Sequence, residues 1–336
     1  MQAAIYAPSG LELTPDERAF FRDCDPVGYI VFRRNIASRE QMRALASELR
    51  GLHGRDELPI LIDQEGGRVA RMRPPEWPAF PAAEAFARLY EKAPISAIEA
   101  ARANAQAIAV LLREVGVNVD CLPVLDVRRP GATDIVGDRA LGSEPMQVAA
   151  LGRASLDGLA AAGVVGVVKH MPGHGRALAD SHETLPVVDA SAEEMEVDLE
   201  PFRTLNSAPM GMTCHCLYSA WDAERPGSQS PVVVGEVIRG EIGFDGFLMS
   251  DDIGMKALGG GFADRARRVI EAGTDAVLHC SGDMAEMVAV ASAAGELSEA
   301  GRARLERAMA GAAVAAADSS LYSELAEKRD RLLALA

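Results

Sequence analysis

Basic charge is the first thing this chain is short of. Against 49 Asp and Glu stand only 34 Lys and Arg, a formal net charge of −15 over 336 residues. A surface so biased repels phosphate backbones and anionic lipid at long range, which excludes nucleic acid and membrane surfaces as expected partners while still allowing a local basic pocket. Cysteine is scarce as well. The five present, Cys24, Cys121, Cys214, Cys216 and Cys280, form an odd, scattered set in a long chain, so reduced thiols and a cytoplasmic location are expected rather than a disulfide framework. Cys214 and Cys216 stand one residue apart without a second pair, and zinc is not expected there. Long apolar runs are missing: none approaches the roughly 18 residues that suggest a membrane span. Nor does a basic residue precede the first apolar stretch, Arg18 being the first Arg or Lys, so no secretory signal is expected. Finally, no linker rich in Pro, Gly or Ser divides the chain. "RMRPPEWPAFPAA" (71–83) is short and reads as a long loop after a strand.

What is present is an ordinary globular composition, 49% hydrophobic and 25% charged, carrying one recurring phrase: a helical stretch, a Gly, then a short apolar run. It occurs around Gly116, Gly163, Gly243 and Gly273, as in "LDGLAAAGVVGVVKH" and "RARRVIEAGTDAVLHC". Gly closes each helix in a left-handed conformation, and the strand that follows is almost wholly apolar because both its faces are covered. Thr14-Pro15-Asp16-Glu17 and Ser191 with Glu194 read as capped helix starts. Strand candidates fall at 3–7, 27–33, 58–63, 117–126, 164–170, 209–215, 245–250 and 275–280. Eight strands alternating with helices predict an α/β fold, a closed (β/α)8 barrel, with an open doubly wound sheet as the next possibility. Residues 1–336 are read as one domain, with a helical C-terminal extension over about 283–336 packed outside the barrel and an Ala-rich helix near 308–317.

In such barrels the working residues lie at the C-terminal ends of the strands. Those following the apolar runs are Arg33, Arg34 and Asn35; Asp63, Gln64 and Glu65; Asp126; Lys169 and His170; His215; Asp251 and Asp252; His279 and Cys280. Each alone has a bland structural reading as a cap or ion-pair partner, and convergence at one rim is what singles them out. The segment "VVKHMPGHGRALADSHETLP" (167–186) holds three of the six histidines. A zinc triad of His170, His174 and His182 is disfavoured by Pro172 and Gly173 between the first two. "PGHG" lacks the ending of a phosphate loop, and Ser181 lacks the surroundings of a nucleophile elbow. A proton carrier fits better: Asp180 and His182, two apart in an extended, Gly-flanked stretch, can face one side, the carboxylate orienting the imidazole. Asp251, ending an apolar strand, is placed to project into the barrel mouth as a partner for covalent chemistry, while Asp252 turns away to hold the loop. No cofactor and no metal is expected.

"IDQEGGRVAR" (62–71), "VGDRALGSEP" (136–145), "KHMPGHGRALADSHETLP" (169–186), "GMTCHCLYSAWD" (211–222) and "GFDGFLMSDDIGMKAL" (243–258) together resemble the single-domain β-N-acetylhexosaminidases of glycoside hydrolase family 3, in order and over nearly the whole chain. The resemblance implies a TIM barrel that removes terminal β-linked N-acetylglucosamine with retention of configuration. In bacteria such enzymes act in the cytoplasm on cell-wall muropeptides, N-acetylglucosamine joined to 1,6-anhydro-N-acetylmuramic acid. It makes Asp251 the nucleophile, His182 the general acid/base and Asp180 its dyad partner. Asp63, Arg71, Arg139, Lys169 and His170 become the residues that bind the sugar. Histidine thus stands where most glycosidases have a second carboxylate. Larger relatives draw an acid/base carboxylate from a following domain, for which residues 283–336 are too few. Met171 where Phe is commoner, and Cys214 and Cys216 around His215, are the departures from the pattern. Gly173 and Gly175 are expected to hinge a loop that closes over the sugar. A carbohydrate partner and a monomer are expected. A phosphorolytic relative, substrate-assisted hydrolysis and a sugar-binding barrel without catalysis are the rival readings.

Overall fold

The computed structural model describes residues 1–129, 131, 135–179, 184–312 and 320–336. Asp180 and His182 lie outside them, as does the end of the Ala-rich stretch beyond residue 312. Eleven strands lie among the described residues: β1 Gln2–Tyr6, β2 Pro26–Val31, β3 Ile60–Ile62, β4 Val119–Asp120, β5 Val165–Met171, β6 Val187–Val188, β7 Met210–Thr213, β8 Leu217–Tyr218, β9 Asp222–Pro226, β10 Phe247–Asp252 and β11 Ala276–His279. Eight of them close a parallel barrel in the order β1-β11-β10-β7-β5-β4-β3-β2, sealed where Ala4 pairs with Val277 and Tyr6 with His279. These are the eight expected strands in chain order. Between them run helices, making a (β/α)8 barrel.

The phrase that signalled the repeat works as the backbone requires. Gly116, Gly163, Gly243 and Gly273 all have positive φ, from 71° to 104°, a region that costs a residue with a Cβ about 1 kcal/mol or more. Thr14 and Ser191 both close capping boxes, with Glu17 and Glu194 respectively. The strand expected over 117–126 keeps only Val119–Asp120 as regular ladder, because Pro123 has no N–H to donate. Its neighbours still bond to β5 through single contacts, Val167 N–H to Leu122 O and Leu125 N–H to Lys169 O. Strands β6, β8 and β9 form a separate three-stranded sheet that the sequence pattern did not announce.

Alternation along the strands sorts side chains into two sets. Ile30, Leu61, Val119, Val165, Val167, Met210, Met212, Phe247, Met249, Ala276 and Leu278 pack with one another and fill the barrel. Tyr29, Val31, Ile60 and Ile62 pack instead with helix residues such as Leu45, Leu49, Ile108 and Leu112. Helix Pro94–Glu114 is long and apolar enough to cross a bilayer by length and composition, which no uninterrupted apolar run had suggested. Here most of it is buried, its chief contacts being with helices Pro145–Ala161 and Leu321–Leu333. C-terminal helices Met284–Ala294, Glu299–Met309 and Leu321–Leu333 lie outside the barrel, as the pattern predicted.

Candidate active site

Extending the inward alternation past the last apolar residue of each strand assembles the site. Leu61 is followed two residues later by Asp63, Val167 by Lys169, Met249 by Asp251 and Ile30 by Phe32, and all four line one cavity of about 500 Å³ at the C-terminal mouth of the barrel. Glu65, Arg71, Arg139, His170, His174, Asp252 and Ser281 add to its polar wall.

Charges on one side of the cavity form a single network. Lys169 is only 2% exposed, and its Nζ lies 3.1 Å from Asp63 Oδ1 and 2.7 Å from Glu65 Oε1. Arg71 donates to Asp63 Oδ2 at 2.9 Å, and Arg139 grips both Glu65 oxygens at 2.8 Å, the bidentate arrangement in which Arg surpasses Lys. Burial would raise both carboxyls, but Lys169 and Arg71 take Asp63 far below the usual range, and Arg139 and Lys169 take Glu65 down to about 2. Burial likewise works against the Lys169 ammonium and is outweighed by Glu65 and Asp63. Three cations face two carboxylates, so the network keeps one unit of positive charge.

That surplus reaches Asp251. Burial alone would raise its carboxyl, yet His170, His215, the Asp252 N–H and Lys169 hold it below the ordinary carboxylate range. Asp251 is therefore an ionised group whose one hydrogen bond among the described residues comes from Asp252 N–H to Oδ1 at 2.8 Å. Asp252 faces its own loop: Oδ1 accepts from the N–H groups of Gly254 at 2.9 Å and Cys280 at 3.1 Å. His215 locks the same turn by donating from Nε2 to the Asp252 carbonyl at 2.9 Å, while Nδ1 meets Ser228 Oγ at 2.7 Å.

His170 is oriented by Asp126. The fully buried carboxylate sits 2.7 Å from Nδ1 and accepts the His174 backbone N–H at 2.7 Å through its other oxygen, and these partners overcome burial to bring Asp126 down to about 2. Asp126 thus ties strand-end His170 to the turn "PGHG". That turn is packed against the barrel: Gly173 has φ 136°, and a Cβ on Gly175 would lie 2.0 Å from the Val127 carbonyl oxygen. These two glycines, expected to hinge a loop, have packing reasons to be glycine.

Below the network lies Asp120, fully buried, with Oδ1 accepting the Gln64 N–H at 3.0 Å and Oδ2 without a partner among the described residues. Burial raises its carboxyl from 3.8 to about 8, with Asp63 and Glu65 adding to the rise against the Gln64 N–H and Lys169. A group whose folded pKa is raised stabilises the fold fully below its unfolded value and loses that contribution as pH climbs through the folded one. Asp120→Asn keeps the acceptor for Gln64 and removes the titration. Thermal melts of both proteins from pH 5 to 9 should show wild type losing stability relative to the variant as pH rises. Parallel curves would count against a protonated Asp120.

Of the residues singled out in the sequence, Asp63, Arg71, Arg139, Lys169, His170 and Asp251 meet at this cavity, whereas Asp180 and His182 lie outside the described residues. Glu65 and Asp126 stood in the strand-end ring without a role. Their signal was position alone, and the structure shows them as the groups that hold Arg139, Lys169 and His170 in place.

Residues 15–310 match the glycosyl hydrolase family 3 N terminal domain. Beta-hexosaminidase of Alkalilimnicola ehrlichii is 40% identical over 279 residues, covering 81% of this chain and 78% of that protein. Beta-hexosaminidase of Methylococcus capsulatus is also 40% identical over 279 residues, covering 81% and 80%. Among solved structures, NagZ from Neisseria gonorrhoeae in complex with N-trifluoroacetyl-D-glucosamine superposes with a TM-score of 0.87 at 28% identity, over 99% of this chain and 98% of that one. With the barrel, the cavity and these likenesses together, the chain belongs to glycosyl hydrolase family 3 and is a hydrolase of the β-hexosaminidase type.

Proposed function

We propose that the chain is a retaining exo-β-N-acetylglucosaminidase acting through a covalent glycosyl-enzyme intermediate. The reading is carried by Asp251, an ionised carboxylate on the inward face at the end of β10 with a cavity in front of it. One carboxylate oxygen attacks the anomeric carbon, the glycosidic C–O bond breaks, and His182 gives a proton to the departing oxygen. Water then attacks the anomeric carbon, giving a proton to His182 as the bond from that carbon to the Asp251 oxygen breaks and frees the carboxylate. Asp180 accepts a hydrogen bond from the imidazole and favours its protonated form. Because an imidazolium becomes neutral when it donates, one positive charge fewer stands beside the developing oxocarbenium ion. Asp63, Arg71, Arg139, Lys169 and His170 bind the hydroxyls and the N-acetyl group. A GlcNAc-like ligand in the related NagZ supports that choice of sugar.

The physiological substrate in this reading is a muropeptide, N-acetylglucosamine linked to 1,6-anhydro-N-acetylmuramic acid, met during peptidoglycan recycling in the cytoplasm by a monomeric enzyme. Aryl β-N-acetylglucosaminides test the acid role. His182→Ala should slow poor leaving groups by roughly 100-fold or more, the scale of general acid catalysis, and barely affect leaving groups that depart as stable phenolates. Equal loss on all of them would remove His182 from that role. Running the assay with and without phosphate, and looking for sugar 1-phosphate, separates hydrolysis from phosphorolysis.

A further inference from the structure

One cluster takes no part in the proposed reaction. Cys214 and Cys216, alternate residues leaving the end of β7, turn to the same side, and their sulfurs lie 3.0 Å apart with neither residue exposed. Facing them is His174 from the turn after β5, 4% exposed, with neither ring nitrogen in a well-aligned hydrogen bond among the described residues and the Cys216 thiol as its polar neighbour. A buried imidazole that has only a thiol, a weak hydrogen-bonding group, for company is poorly satisfied. One ring nitrogen and both sulfurs lie within 4.8 Å of one another. We infer that His174, Cys214 and Cys216 form a site for a thiophilic divalent cation, with zinc as its natural occupant, that braces the turn after β5 to the end of β7 behind the cavity.

Chemistry narrows the ion. Two thiolates and one imidazole are the donors that suit tetrahedral zinc, leaving a fourth position for water or another ligand. On binding, the metal replaces two protons, which leave to solvent, and forms two metal–sulfur bonds and one metal–nitrogen bond. Two thiolates with a divalent ion make a neutral unit, which a buried position beside Asp126 tolerates better than the anionic unit a monovalent ion would leave. With Zn–S near 2.3 Å and tetrahedral angles, the sulfurs need to stand about 3.8 Å apart, so they must part by less than 1 Å, within reach of small side-chain rotations. His174 lines the cavity, which gives an ion a way in. The sequence alone argues against zinc here because the Cys pair has no second pair nearby; the third donor comes from another loop, forty residues earlier.

The test uses the full chain, reduced and freed of metal with a chelator, titrated with Cd2+ and Co2+ as spectroscopic probes and then with Zn2+. One equivalent should bind with a thiolate-to-metal charge-transfer band. Cys214→Ser/Cys216→Ser should abolish the band and lower zinc affinity by more than the roughly 10–100-fold that losing an outer partner costs. Cys280→Ser, which alters a thiol that lines the cavity away from the proposed site, should keep both. Zinc should raise the melting temperature of wild type and Cys280→Ser and leave the double variant unmoved. No band in wild type, a band surviving in the double variant, or one lost in Cys280→Ser overturns the site. Should the double variant misfold, X-ray absorption at the zinc edge of the wild-type complex decides: two sulfur neighbours with nitrogen support the assignment, and a shell of oxygen and nitrogen alone refutes it.

Discussion

Asp251→Asn is expected to lower kcat by about 10⁴-fold or more, roughly 5.5 kcal/mol of barrier, while leaving the sugar bound. The expectation follows from what the side chain does in the fold. The hydrogen bond it accepts from the Asp252 N–H is one an Asn oxygen can keep. The turn beyond it is held by Asp252, His215 and Cys280 rather than by Asp251. What the amide cannot supply is a negative, nucleophilic oxygen at the anomeric carbon. Loss confined to kcat, with an unchanged melting temperature and a dissociation constant for N-acetylglucosamine within a few-fold of wild type, separates a chemical role from a structural one. Activity retained within about 100-fold would fit a general acid/base contribution better than a nucleophile.

Lys169→Met should be the most damaging substitution for the fold as well as for activity. Methionine fills similar volume, but it strands Asp63 and Glu65 without the cation that lies between them. Breaking a buried ion pair on one side costs about 3–5 kcal/mol because the remaining charge has lost its compensation. Arg71 and Arg139 still hold one carboxylate each, so the loss falls within that range rather than above it. The pH dependence carries a sign of its own. Carboxyls held low in the folded state stabilise it above their unfolded values, and that stability disappears as pH falls through the folded ones. In wild type the contributions of Asp63 and Glu65 fade on acidification below about pH 4. Without Lys169 both carboxyls move up, so the variant's penalty should be largest at neutral pH and shrink toward pH 4. Melting temperatures of the two proteins across that window check both size and sign; a constant gap would mean that packing, not charge, sets the cost.

The barrel was legible because a (β/α)8 chain repeats one physical problem. Each helix must stop sharply and hand over to a strand buried on both faces, so Gly116, Gly163, Gly243 and Gly273 mark the handovers and apolar runs mark the strands. Asp63, Lys169 and Asp251 were legible for a related reason: each continues the inward alternation of its strand past the point where apolar residues stop. Arg71 and Arg139 had no such signal. They reach the cavity from loops, through long side chains anchored by Asp63 and Glu65, and only the family resemblance pointed to them. The sheet of β6, β8 and β9 escaped because two of its strands have two residues each, too few to show a period. Helix Pro94–Glu114 escaped as an apolar helix because Glu99, Arg102 and Arg113 interrupt its run of small and aliphatic residues. His174 with Cys214 and Cys216 was beyond any spacing rule, since separate loops bring the three together.

The central claim is that Asp251 becomes covalently bonded to the sugar. Incubation with a fluorinated N-acetylglucosaminyl fluoride, whose transfer onto the enzyme outpaces its release, followed by mass spectrometry of the intact protein and its peptides, tests it directly. One sugar per chain is expected, on the peptide containing "FLMSDD" and on Asp251 within it, and none on Asp251→Asn. A turning-over enzyme that never accumulates an adduct, or that carries it on another residue, would contradict it.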